Sequence, residues 1–458
     1  MHLGIDFGTT NSVAAVVTAP GDAPQIIALD EGSRTLRTML YVERDQSMSI
    51  GAAAIRSYRA QNVGRVPRFV RKYIGTIDNE GGGLLSDADD MKSGDVLMDV
   101  YSDVDADMPG RLMHALKGPL ATDYEGTMIF GQEYRLEELI AVFLREVRRR
   151  VREQTGCDAR SAVLGRPVNF ANAVDEAGNA HAQQRLEIAA KAAGFEEVIF
   201  EYEPVGASLS YASQVGGRAE HVLVFDFGGG TLDLAVVRRD ANGGQKILST
   251  GGLGLAGDHF DRALFQQALL PSFGRDVRWG PQRLPLPQYL LEALGDWQNI
   301  PILSNAATVA FLREAQRDCT APIQMLALED LVTKGYGYDL YERVERAKVA
   351  LSTARIAELA YAADAIDAWR IATRAQFEAA IAPERRAVAA LIDDTLARAQ
   401  VSASDIDHVV RTGGSSSIPC FVELLIERFG LQKIHSEDLL TGVAAGLAVR
   451  AAQLGLRA

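Results

Sequence analysis

One pattern, written twice, constrains this chain more than any other feature. Leu3-Gly4-Ile5-Asp6-Phe7 reads as an apolar strand that runs into Gly8-Thr9-Thr10-Asn11-Ser12 and then into the apolar Val13–Val17. Val222–Phe227 runs in the same way into Gly228-Gly229-Gly230-Thr231 and Leu232–Val237, with Asp226 in the place of Asp6, 220 residues further on. A strand, an Asp-x-Gly, a hydroxyl-bearing glycine turn and a second strand, repeated at that distance, predict two related halves that face one another. A third glycine turn, Gly413-Gly414-Ser415-Ser416-Ser417, follows the strand-like Val409–Thr412.

Such turns suit a phosphate chain. Glycine lets backbone N–H groups converge on an anion and permits close approach. Thr9, Thr10 and Thr231 add hydroxyl donors. A carboxylate beside each turn, Asp6 and Asp226, would repel phosphate unless a hard cation stood between them, and Mg2+ is the natural mediator. The pattern points to a Mg-nucleotide rather than bare phosphate. The plainer alternative is a pair of β-hairpins with ordinary glycine turns.

Other chemistries leave less trace. There is no GxxxxGK[ST] loop, no HExxH and no GxSxG. A GxGxxG occurs at Gly252, Gly254 and Gly257, but the segment beyond it is proline-rich and does not read as the next parallel strand of a βαβ unit. Cys157, Cys319 and Cys420 form no CxxC, which fits a reducing compartment. Forty-seven basic against sixty acidic residues give a net charge of −13, so no general attraction to nucleic acid or anionic membranes is expected. With no leader and no long uninterrupted apolar run, the expected compartment is the cytoplasm.

The charge is unevenly placed. Asp78–Asp107 holds ten acids against one base, Lys92, together with Gly81–Gly83, and reads as a solvated insertion outside the core. Asp103, Asp105 and Asp107 have the start of a calcium loop, but Met108 and His114 stand where it needs Gly and Glu. Pro271, Pro281, Pro285, Pro287 and Pro301 suggest loops in a peripheral subdomain. Helical periodicity predicts helices over Arg135–Glu153, over Tyr338–Leu359 and from about Pro383. The arginines Arg145, Arg148, Arg149, Arg150 and Arg152 on the first are read as a solvated face.

Taken together, Ile5–Ser12 (IDFGTTNS), Phe225–Asp233 (FDFGGGTLD) and Thr412–Pro419 (TGGSSSIP) resemble the two phosphate segments and the adenosine segment of the actin-like ATPase superfamily. Ala162–Asn169 (AVLGRPVN), Phe200–Ala207 (FEYEPVGA), Leu255–Asp261 (LAGDHFD) and Glu345–Ser352 (ERAKVALS) extend the resemblance to the nucleotide-binding domain of the seventy-kilodalton heat-shock chaperones, the DnaK family. The wording GRPVNF and EYEPV is most similar to its short YegD-like branch. The resemblance implies an α/β fold of two lobes, each a ribonuclease-H-like mixed sheet with helices. The lobes would span 1–205 and 206–458, with small capping subdomains at about 40–132 and 259–335.

It also implies roles. Asp6 and Asp226 would orient a hydrated Mg2+. Thr9, Thr10, Gly228, Gly229, Gly230 and Thr231 would cradle the phosphates, and Gly8 and Asn11 would belong to the nucleotide-binding set. Lys117, Glu203, Asp233 and Thr231 would form the catalytic set, with Glu203 and Asp233 positioning the attacking water. Pro167 would act with the Glu203 loop as an interlobe switch. Glu345, Lys348, Ser352, Gly414 and Ser415 would hold ribose and adenine, and Gly257 and Gly413 would belong to the same nucleotide-binding set. For the lysine, both Lys117 and Lys72 have suitable surroundings, and Lys117 is preferred because the helix Arg135–Glu153 then follows in the expected order. The implied ligands are ATP or ADP with Mg2+, with K+ as a further candidate ion, and protein partners or co-chaperones.

Ser417 stands where the family carries an arginine over the adenine, and Val349 where many members have a second base. With the chain ending at Ala458, no peptide-binding domain is expected to follow the adenosine segment. The implied activity is slow Mg-dependent ATP hydrolysis working as a nucleotide-driven switch. The rivals are a small-molecule kinase of the same superfamily and a non-catalytic nucleotide-gated adaptor.

Overall fold

The two hairpins become the centres of two sheets of one design. In the computed structural model, which describes all residues except 80–95, 216–218, 241–243, 256, 437 and 458, and only the backbone of 74–79, 96–103 and 214–215, the elements follow the sequence pattern. Strand β1 (His2–Phe7) pairs antiparallel with β2 (Asn11–Val17) and parallel with β3 (Ser161–Arg166), which pairs parallel with β4 (Glu197–Tyr202). The second sheet repeats this order. Its β5 (Glu220–Phe227) pairs antiparallel with β6 (Leu232–Arg239) and parallel with β8 (His408–Thr412). A parallel β9 (Ile434–Ser436) closes one edge and an antiparallel β7 (Gln245–Leu253) the other. The sheets are buried on both faces, and β1, β3 and β5 are accordingly near-continuous apolar runs.

Eight helices pack around and between these sheets: α1 (Leu136–Thr155), α2 (Glu176–Ala192), α3 (Glu203–Val215), α4 (Gly257–Leu264), α5 (Gly337–Thr353), α6 (Ala382–Ala399), α7 (Pro419–Phe429) and α8 (Gly442–Gln453). Helices α3 and α8 cross between the sheets: α8 packs on β1, β2, β3 and α3, and α3 on β4, β5 and β6. Their crossing is close because it is made at glycines. A Cβ on Gly446 would run into the carbonyl of Gly206, and one on Gly4 into the backbone of α8. Each sheet has its own apolar core, one around Phe7 and Phe143, the other around Phe225, Phe227, Phe260 and Phe421. The lobe boundary expected at residue 205 falls inside α3.

Several expectations are corrected. The helix expected to reach Leu359 ends at Thr353, and Ile356–Ala363 is a strand paired with Ile366–Thr373. Leu351 and Leu359 fit a helical stripe, but Ala357, Leu359 and Tyr361 alternate with exposed neighbours, and that period of two won. Of the GxGxxG glycines, Gly252 lies at the end of β7, Gly254 just beyond it and Gly257 at the start of α4; β7 runs antiparallel to its neighbour, so this is no dinucleotide-binding crossover. The prolines near residue 271 open short helices as well as breaking them, at Leu270–Phe273 and Ile300–Leu303.

The ends of the acidic segment form a hairpin, Phe69–Asn79 against Val96–Asp105, rather than loop; its middle, with Glu80, Gly81–Gly83, Asp87, Asp89, Asp90, Lys92 and Asp95, lies outside the described residues. Asp105 and Asp107 are taken by Arg65 and Arg68. On α1, Arg148, Arg149 and Arg150 are engaged by Asp158, Glu146 and Asp30. Among the described residues no helix is long and apolar enough to cross a membrane.

Candidate active site

The β1–β2 and β5–β6 turns meet tip to tip. A Cβ on Gly229 would collide with the Thr10 hydroxyl, and one on Gly230 with that of Thr9. Only glycine lets the second turn come this close to the first. Thr38 supports the first turn: its Oγ1 donates to Gly8 O at 2.8 Å, and its N–H donates to Thr10 O at 2.9 Å. The second turn is tied to its neighbours by Asp258 N–H on Gly229 O (3.1 Å) and by Ser415 Oγ on Gly228 O (2.7 Å). Gly413 opens the third turn with φ 77°, where a Cβ would strike Phe227 O.

Between the sheets lies a cleft of about 1030 Å³. Asp6, Gly8, Thr9, Thr10, Asn11, Lys117, Glu203, Asp226, Gly228, Gly229, Gly230 and Thr231 line its floor and Gly257, Glu345, Lys348, Ser352, Gly413, Gly414 and Ser415 its far wall. Val349 and Ser417 also line it. Asp233 does not. It sits one layer below on β6, across from Asp226, almost fully buried, and accepts a 2.6 Å hydrogen bond from Val168 N–H. Lys72 is exposed on the outlying hairpin, whereas Lys117 is buried and ion-paired with Glu203 at the start of α3.

The charges on the floor do not balance. Asp6, Asp226, Asp233 and Glu203 surround a single ammonium, that of Lys117. Burial first, and then the Glu203 charge, push Asp6 and Asp233 up to about 7 and drive Asp226 well above the carboxylate range. Burial works against the charge on Lys117, but Glu203 and Asp6 hold it above its ordinary value. A floor with this surplus of carboxylate fits a divalent cation, with Asp6 and Asp226 lining the cleft beside the two turns while Glu203 is engaged by Lys117. Further up, Lys348 donates to Gly257 O at 3.1 Å and to Asp261 at 2.7 Å.

Three features escaped the sequence reading. Arg37 forms a two-pronged pair with Glu345 across the cleft, at 3.2 and 2.8 Å. Arg59 reaches Asp339 and Glu342, and Tyr58 donates to Gly335 O, so the capping helix Ala52–Asn62 is tied to α5. Trp297 packs on His114 and Tyr338 at the cleft mouth. No local motif marks Arg37 or Trp297. Asp258 and Asp261 could have been found, since they stand inside the LAGDHFD segment.

Two matched mixed sheets with a glycine-and-carboxylate cleft between them define the two-lobed actin-like ATPase fold. Within that class, the model of the family described as Hsp70 protein matches residues 2–81, 103–277 and 334–455, and the chain belongs to this family. Similar proteins include the chaperone protein dnaK of Gracilaria tenuistipitata var. liui, 27% identical over 99% of this chain and 60% of its own length. The chaperone proteins DnaK of Thermosipho melanesiensis and Thermoplasma volcanium are 23% and 25% identical, each over 99% of this chain and over 59% and 58% of their own length. The chain thus spans about 60% of the length of the curated relatives it matches.

Proposed function

We propose that the cleft binds Mg-ATP and hydrolyses it slowly to ADP and phosphate, so that lobe closure follows the bound nucleotide. The observation that carries this reading is the meeting of two Thr-Gly turns over four carboxylates and one lysine. The backbone N–H groups and hydroxyls of Thr9, Thr10, Gly229, Gly230 and Thr231 would hold the β- and γ-phosphates. Asp6 and Asp226 would hold Mg2+, which supplies charge neutralisation on the phosphate oxygens.

Glu203 and Asp233 would orient the attacking water, Glu203 directly and Asp233 through the Val168 backbone and its neighbours. Lys117 would leave its pair with Glu203 in part to meet negative charge developing on the transferred group. Lys348, Glu345, Ser352, Gly414 and Ser415 would take the nucleoside. The naming of the relatives as DnaK chaperones supports protein partners that respond to lobe angle.

A single-turnover experiment with γ-labelled ATP tests this. Release of label as inorganic phosphate is the expected result. Transfer of the label to a small hydroxyl acceptor would make the protein a kinase, and retention of intact ATP would make it a nucleotide-gated adaptor.

A further inference from the structure

The segment that carries Lys117 has little secondary structure to hold it. After the strand Gly110–His114 the chain passes Ala115 at φ 52°, makes one tight turn over Gly118–Ala121 and stays irregular until the strand Gly126–Ile129. Its carbonyls need donors if they are to be buried. Turn hydrogen bonds within the segment satisfy Ala115 O, Lys117 O and, with the Thr122 hydroxyl, Pro119 O, and one side chain from outside reaches four carbonyls of its second half. Arg185, on α2 and 6% exposed, donates from Nη1 to Leu120 O (3.3 Å), Thr122 O (3.1 Å) and Pro119 O (3.4 Å), and from Nη2 to Tyr124 O (2.8 Å). Its Nε donates at 2.5 Å to Glu137 in the first turn of α1, itself 8% exposed.

A guanidinium is a rigid fork with its donors in fixed directions, so one side chain fastens the segment to two helices at once. Asn172 adds one more tie, its Nδ2 donating to Gly118 O at 3.3 Å. Leu116 and Leu120 anchor the same segment by burial, but apolar contacts fix depth better than direction. The lysine ammonium stands at the end of four rotatable bonds, and where it can reach depends on where its backbone is held.

We propose that Arg185 is a positioning residue for ATP hydrolysis: it sets the backbone of the 115–125 segment so that Lys117 meets the transferred phosphoryl group. This rests on the reading that Lys117 stabilises the transition state. Displacing a catalytic group by an ångström can cost on the order of 100-fold in rate.

The test is a cycle on the full chain, with single-turnover hydrolysis of saturating Mg-ATP, ADP affinity and thermal midpoint measured for wild type, Arg185→Lys, Lys117→Ala and the double variant. Arg185→Lys keeps the charge and loses the fork. It should slow hydrolysis about 10- to 100-fold and leave ADP affinity within about threefold. In the Lys117→Ala background it should cost no further rate, while lowering the thermal midpoint equally in both backgrounds. If Arg185→Lys does not fold, Glu137→Gln, which loosens the aim of the guanidinium, enters the same cycle under the same criteria. An equal rate loss in both backgrounds, or a wild-type rate in the single variant, overturns the proposal while leaving Lys117 in its role. A wild-type rate for Lys117→Ala removes the role of Lys117 and the proposal with it.

Discussion

A floor of crowded carboxylates costs stability when no cation is bound, and Asp233 gives the clearest way to see it. It is 1% exposed, and its carboxyl is pushed up from 3.8 to about 7, by burial first and then by Glu203. At ~1.36 kcal/mol per pKa unit, its charged form is disfavoured by roughly 4 kcal/mol relative to the unfolded chain. Below about pH 4 the carboxyl is protonated in both states, so the charge contributes nothing to the effect of Asp233→Asn there. As pH rises towards 7 the unfolded chain gives up its proton first, and the wild-type folded state loses stability. Asparagine keeps an oxygen for Val168 N–H but adds an amide that must find an acceptor, which offsets on the order of 2 kcal/mol. Ligand-free Asp233→Asn should therefore be about 2 kcal/mol more stable than wild type at pH 8, and the sign should reverse on the way to pH 4, where only the amide cost is left. Mg-ADP should shrink the gain by placing positive charge on the same floor. The assay is the denaturant midpoint against pH, with and without Mg-ADP. A ligand-free variant less stable than wild type at pH 8 would refute the charge argument.

Three more perturbations probe the rest of the site. Lys117→Ala should slow hydrolysis about 100- to 1,000-fold, as loss of one preorganised transition-state donor does, with ADP affinity nearly unchanged by calorimetry and Lys72→Ala neutral in both. Arg37→Ala removes a mostly buried two-pronged pair across the cleft, worth about 1 kcal/mol, and should speed release of a fluorescent nucleotide about fivefold in stopped flow. Ser417→Arg should tighten ADP binding by about 1 kcal/mol if a guanidinium can lie on the base beside Val349, which titration reads directly.

The parts legible in the sequence are those that short segments encode. Asp6 and Asp226 carry their turns with them, and the alternation of glycine, hydroxyl and apolar residues fixes a hairpin locally, so the matched sheets could be expected. What was hidden depends on residues brought together by packing. Arg37 and Glu345 stand 308 positions apart, and nothing near either announces the other. Arg185 looks like one more base on a polar helix until the carbonyls of 119–124 gather round it. Lys72 and Lys117 both have suitable neighbours in sequence, and the order of the segments favours Lys117; the path of the strand Gly110–His114 carries Lys117 into the cleft. The strand at Ile356–Ala363 was misread because its leucine falls on both a helical and an alternating pattern.

In the proposed mechanism a nucleotide binds in this cleft through a cation held by Asp6 and Asp226. Titration calorimetry of ADP into wild type and Asp226→Asn, each with Mg2+ and with a chelator, tests it most directly. The account predicts that Mg2+ tightens ADP binding to wild type and that Asp226→Asn loses most of this gain while its metal-free affinity stays close to that of wild type. Equal losses with and without Mg2+, or no binding of ADP to wild type, would contradict it.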